Sequence, residues 1–177
     1  MLDKVRRIRL LAMDVDGVLT DGRVVYSDSG QELKAFDIHD GLGISVARHA
    51  NLITAIITGR KSFAVERRAG ELGIAHLCQG CRNKGVALRK LIETAGVSPS
   101  ETAFIGDDIN DLPAFRECGF RIAVANASND LKAQADHVTE RTGGRGAVRE
   151  VIELILRSQG KWDIAVEEYL RELEQSG

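Results

Sequence analysis

The chain has 177 residues, 44% of them hydrophobic and 28% charged, with a formal net charge of −2. That length and balance suit one soluble domain with a proper core, and they give no reason to expect nucleic acid or an anionic membrane as partner. No apolar run reaches the length of a membrane span and Met1-Leu2-Asp3-Lys4 does not open a signal peptide, so a cytoplasmic location is expected.

The first strand is expected over 8–13, where an apolar run breaks abruptly into Asp14-Val15-Asp16-Gly17. Side chains two apart on a strand face the same way, so the two acids should point into one small volume at the strand's carboxyl end. A β-hairpin over about 22–37 follows, with its turn at Asp28-Ser29-Gly30. Its Val24, Tyr26, Leu33 and Phe36 leave apolar surface that an isolated hairpin cannot bury, which predicts a partner chain or a flap over the site. A helix over 42–50 and a strand over 52–57 come next, the strand ending in Thr58-Gly59-Arg60.

A helix over 63–72, a strand over 76–78 and a helix over 84–95 continue the alternation, with Lys84 opening the last of these. Cys78-Gln79-Gly80-Cys81 lies between them. The chain has three cysteines, too few and odd in number for a disulfide framework, and neither further zinc ligands nor a redox fold context is visible, so partly buried free thiols are expected. A strand over 102–105 ends in Gly106-Asp107-Asp108-Ile109-Asn110-Asp111. A helix over 111–117, a strand over 120–124 and a helix over 131–135 follow. Gly143-Gly144-Arg145-Gly146 leads into two amphipathic helices over about 146–175. The whole, 1–177, reads as a single α/β domain: a Rossmann-like parallel sheet with helices on both faces and a hairpin flap after the first strand.

In such a sheet the polar strand ends converge on one edge with Asp14 and Asp16. Two unit charges ~4 Å apart repel by roughly 4 kcal/mol at an effective dielectric near 20, so Asp14, Asp16 and Asp107 together call for a cation. Oxygen ligands without histidine suit Mg²⁺. The kit is that of phosphoryl transfer through an aspartyl phosphate. Asp14 is then the nucleophile, and Asp16 protonates the leaving alkoxide and later activates water. Lys84 neutralises phosphoryl oxygens, Thr58 donates a hydrogen bond, and Asp107 completes the metal site with Asp14 and Asp16. Backbone N–H groups near Gly17 and Gly59 can hold the anion, and Asp108 and Asp111 hold metal waters or orient Lys84. A calcium loop is a poor alternative because Val18 and Val25 occupy places where it needs ligands.

With these residues the chain resembles the haloacid dehalogenase superfamily of phosphohydrolases. It is closer still to the capless 3-deoxy-D-manno-octulosonate 8-phosphate phosphatases, through Asp21-Gly22, 30–36, 39–44, Gln79-Gly80 and 143–150. The resemblance implies no cap domain, a homotetramer in which hairpins associate, and a Mg²⁺-dependent role in lipopolysaccharide synthesis. It implies that Asp37, Ile38, His39, Asp40 and Gly41 line the substrate, that Arg60 and Arg68 meet its carboxylate or hydroxyls, and that Arg145 reaches a site, its own or a neighbour's. Ser45 and His39 depart from arginines frequent in the branch. Relatives acting on nine-carbon sialic-acid-type phosphates, non-catalytic tetramerising modules and phospho-receiver domains are the competing readings. Arg60 favours the eight-carbon substrate over the nine-carbon one, the complete acid, threonine and lysine set disfavours the non-catalytic module, and the late acidic cluster from Asp107 to Asp111 disfavours the receiver domain, which shares the rest of that set.

Overall fold

The computed structural model describes residues 2–175, so Met1 and the last two residues of the expected 1–177 domain lie outside it. Chain order is α1 (Leu2–Arg6), β1 (Leu10–Met13), β2 (Val25–Tyr26), β3 (Glu32–Leu33), α2 (Ile38–His49), β4 (Ile53–Ile57), α3 (Phe63–Glu71) and β5 (His76–Cys78). It continues with α4 (Lys84–Ala95), β6 (Thr102–Gly106), α5 (Leu112–Phe115), β7 (Phe120–Ala123), α6 (Asn129–Lys132), β8 (His137–Val138), α7 (Ala147–Ser158) and α8 (Trp162–Gln175). Six strands form one sheet in the order β5-β4-β1-β6-β7-β8, every pair parallel, while β2 and β3 form a separate antiparallel hairpin. Among the described residues no cap domain interrupts this α/β sheet.

The central strand β1 pairs on both edges and all four of its residues are buried, which is why its sequence is continuously apolar rather than alternating. From β1 the chain runs outward to β4 and β5 on one side, then returns to β6, β7 and β8 on the other. That reversal opens a crevice beside the carboxyl end of β1, where ligands bind in sheets of this kind. Helices α2, α7 and α8 pack together, and α4 packs with α5. Trp162 at the start of α8 is clamped by the guanidinium groups of Arg149 and Arg157, 4.7 and 5.3 Å from its ring centroid, which ties α8 to α7.

Two short elements escaped the sequence reading: α1 and the edge strand β8, the latter only two residues long. The cysteine expectation is corrected, because Cys78 and Cys81 are joined in a disulfide and only Cys118 is free. Backbone hydrogen bonds fold residues 78–81 back along residues 58–60 and bring the two Cα atoms to 6.5 Å, within reach of a single S–S bridge.

Candidate active site

The chain stops being a strand at Met13. Asp14 still donates its N–H to the Ile105 carbonyl, at 3.1 Å, but the Val15 carbonyl then accepts N–H groups from Val18, Leu19 and Thr20, which coils the segment. Gly17 sits in this coil at φ +85°, a conformation glycine adopts without steric cost, and a Cβ there would lie 2.0 Å from the Asp107 carboxylate. Gly143 braces the loop from behind, since a Cβ there would lie 1.7 Å from the Gly17 carbonyl oxygen. The glycine-rich segment near 143 therefore shapes the loop that carries Asp14 and Asp16.

Lys84 is the first residue of α4. The Asn83 side chain caps that helix by accepting the N–H groups of Gly85 and Val86, which fixes where Lys84 begins. Its ammonium is buried, 2.7 Å from Asp14 Oδ2 and 2.5 Å from Asp111 Oδ1. The other Asp111 oxygen accepts the N–H of Asp107 at 2.9 Å, so Asp111 ties the lysine to the loop after β6. Burial, then the Asp111 charge, pushes Asp14 up to about 6; burial, then Asp111 and Asp14, pushes Asp107 up to about 7. Burial opposes the charge on Lys84, but Asp14 and Asp111 outweigh it and its pKa is raised.

The carboxylates of Asp14, Asp107 and Asp111 offer oxygens that all lie within 4.8 Å of one another. Ionised, these three acids against one ammonium leave two negative charges, and the donor set is oxygen alone. A divalent cation such as Mg²⁺ fits that chemistry. The expected ligand set was Asp14, Asp16 and Asp107; Asp16 lines the same cavity as the other two, but its carboxylate is not among the clustered oxygens. The Asp16 carboxylate is instead engaged by Lys34 of the hairpin and lies 3.8 Å from Arg60 Nε. The chain coils after Met13, so strand alternation does not set the direction of the Asp16 side chain.

A cavity of about 260 Å³ joins these groups, lined by Asp14, Asp16, Thr58, Gly59, Arg60, Lys84, Asp107 and neighbours. The hairpin closes toward it. Lys34, its side chain 1% exposed, also meets Glu32 at 3.0 Å, and Glu32 pairs with Arg60 at 3.2 Å. A hydrogen bond with Tyr26, then the Glu32 charge, holds the Arg60 pKa above its usual value. Lys34 and Glu32 were missed as site residues; the only signal was the hairpin's odd place in the βα rhythm.

The other expected substrate residues lie outside this cavity, and Asp37, Asp40, Gly41 and Arg68 line a second, smaller one. Asp37 caps α2, accepting the N–H groups of His39 and Asp40. Asp40 is buried, and its oxygens accept the N–H groups of Gly146 and Arg149 at the start of α7. Burial raises its pKa to about 6 despite those hydrogen bonds. Ile38 and His39 are exposed, Gly41 is buried, and a Cβ on Gly41 would lie 2.2 Å from Arg68. Arg68 pairs with Glu71 at 3.2 Å, while Arg145 is exposed and does not line the cavity. Ser45 turns its hydroxyl back onto the Gly41 carbonyl.

Residues 73–152 match the family model of haloacid dehalogenase-like hydrolases. The chain is 48% identical to the 3-deoxy-D-manno-octulosonate 8-phosphate phosphatase of Salmonella typhi over 165 residues, 93% of this chain and 88% of that one. It belongs to that phosphatase family. Among solved structures it resembles the Moraxella catarrhalis phosphatase in complex with magnesium, phosphate and the sugar acid, at TM-score 0.91 and 48% identity over 95% of this chain and 97% of that one. The cobalt-bound phosphatase of Haemophilus influenzae superposes at TM-score 0.88, with 43% identity over 91% and 94% of the two chains. These phosphatases hold a divalent metal, as the oxygen-only cluster at Asp14 requires.

Proposed function

We propose that this chain is a single-domain, cytoplasmic, Mg²⁺-dependent phosphatase. It hydrolyses 3-deoxy-D-manno-octulosonate 8-phosphate to the free sugar acid and phosphate, in lipopolysaccharide synthesis. The observation that carries the reading is the buried Lys84 ammonium shared by Asp14 and Asp111, beside Asp107, at the mouth of a cavity that Thr58 and Arg60 also line.

The Asp14 carboxylate attacks phosphorus and the bond to the sugar oxygen breaks, leaving an aspartyl phosphate. Asp16 gives the leaving oxygen a proton and then takes one from the water that attacks phosphorus, freeing Asp14 and inorganic phosphate. Asp14, Asp16 and Asp107 would hold Mg²⁺, which when bound would offset the repulsion between the attacking carboxylate and the phosphate dianion. Lys84 and Thr58 hold phosphoryl oxygens, and Asp111 keeps Lys84 aimed. Lys34 positions the Asp16 carboxylate, while Arg60 and Arg68 are the cations available to the sugar acid.

The hairpin supports a homotetramer. Val24, Val25, Tyr26 and Leu33 are each about half exposed in the single chain, a contiguous apolar surface suited to other copies. Phosphate release from a panel of eight-carbon, nine-carbon and unrelated sugar phosphates, with and without Mg²⁺, tests the reading. Metal-dependent turnover that favours the eight-carbon acid is expected. Equal turnover across the panel defeats the substrate assignment, and preference for the nine-carbon acids transfers it to them.

A further inference from the structure

The disulfide between Cys78 and Cys81 lies in the short loop between β5 and Lys84, against the segment that carries Thr58 and Arg60. The two segments are joined at four points. The Cys78 carbonyl accepts the Thr58 N–H at 2.9 Å, and the Thr58 carbonyl accepts the Cys81 N–H at 3.0 Å. The Arg60 carbonyl accepts the Gly80 N–H at 3.2 Å, and the Gln79 side-chain oxygen accepts the Ser62 N–H at 2.7 Å. Two residues beyond Cys81, Asn83 caps the helix that Lys84 opens. The bridge thus stands between the two groups that hold the phosphoryl oxygens.

A bridge that closes so short a loop constrains the unfolded chain little, so its effect falls on local geometry more than on the stability of the whole fold. Both cysteines are half-buried rather than sealed, and a cavity of about 250 Å³ lined by Cys78, His76 and Leu91 adjoins the bridge. Cys118 contrasts with them, since burial pushes its thiol up to about 12 and makes it a poor nucleophile. Disulfides in reducing compartments are usually transient and redox-sensing.

We propose that Cys78 and Cys81 form a reversible dithiol–disulfide switch that sets turnover by tightening or loosening residues 78–81 against residues 58–62 and Lys84. In the reducing direction a thiolate of a dithiol reductant attacks one of the two sulfurs. The S–S bond breaks, and the displaced sulfur takes a proton. The reductant's second thiol then resolves the mixed disulfide, so two electrons and two protons pass to the pair and the reductant becomes a disulfide. A disulfide oxidant runs the same exchange in reverse. The activity arm rests on the phosphatase reading, and the choice of a reversible bridge rests on its cytoplasmic location.

The full chain is equilibrated in mixtures of reduced and oxidised dithiothreitol. Free thiols, amide exchange of residues 58–62 and Mg²⁺-dependent phosphate release are then read on the same samples. One free thiol is expected in oxidant and three in reductant, with faster exchange of residues 58–62 in the reduced form and kcat about tenfold lower. Cys118→Ser should keep the response, whereas Cys78→Ser and Cys81→Ser should each stay at the reduced level in both mixtures. Three free thiols in oxidant, or kcat and exchange identical in the two states of the wild-type chain, would overturn the switch. Absence of turnover in both states, with thiol count and exchange still responding, would contradict the phosphatase reading and leave the switch supported.

Discussion

Lys84 lies at the centre of the site because burial makes each of its partners depend on it. Removing one member of a buried charge cluster leaves the rest uncompensated, at a cost of roughly 3–5 kcal/mol. Lys84→Met should therefore lower metal-free stability by about that much in urea unfolding at pH 8. The loss should shrink at pH 5, where Asp14 and Asp107, with pKa values near 6 and 7, take up protons. The raised values also fix the sign of the pH dependence. Each group binds its proton more tightly folded than unfolded, so its contribution to stability is full below the ordinary value of 3.8 and is lost as pH rises through 6 to 7. A divalent cation must displace those protons, so Mg²⁺ affinity measured by calorimetry should rise between pH 5.5 and 8. Flat affinity over that range would contradict the assignment of Asp14 and Asp107 as ligands.

At the scale of elements, the loops after β1 and β6 and the start of α4 matter more than any strand. Asp40 shows how one element serves another. Its carboxylate, on α2, accepts two N–H groups at the start of α7, joining helices whose sequences are more than a hundred residues apart. Asp40→Ala should leave those donors without acceptors and cost about 1–3 kcal/mol in denaturant unfolding, with kcat less affected than stability. A selective collapse of kcat at unchanged stability would return Asp40 to the substrate site.

This scale also divides what was legible in the sequence from what was not. The strand ends could be read, because buried parallel strands are apolar throughout and Asp14, Thr58 and Asp107 stand out where they stop. The side-chain directions beyond those ends could not. Strand alternation points Asp14 and Asp16 into one volume, whereas the coil around the Val15 carbonyl leaves the Asp16 carboxylate paired with Lys34. The sequence left Asp111 between holding metal waters and orienting Lys84, and the fold brings it onto the Lys84 ammonium. The Cys78–Cys81 bridge was hidden for the same reason: backbone pairing between loops distant in sequence sets it.

For the whole molecule, the described residues form one six-stranded sheet whose order reverses at β1, and the site occupies that reversal. The hairpin is the element the single chain satisfies least, with Tyr26 62% exposed while Lys34 beside it is sealed against Asp16. If the chain forms the proposed homotetramer, a charge placed on the apolar face by Val25→Asp should dissociate it in sedimentation experiments and lower turnover together, because the same hairpin orders Glu32, Lys34 and Arg60. Dissociation with turnover unchanged would separate the hairpin's two roles.

The proposed chemistry turns on Asp14 attacking phosphorus with a divalent metal beside it. Phosphate release from 3-deoxy-D-manno-octulosonate 8-phosphate by wild type and by Asp14→Asn, each with Mg²⁺ and after chelation, tests it most directly. Wild-type turnover should vanish on chelation and return with Mg²⁺, while Asp14→Asn should lose at least about a thousandfold in kcat yet remain folded. Undiminished release by the folded Asp14→Asn chain would contradict the account.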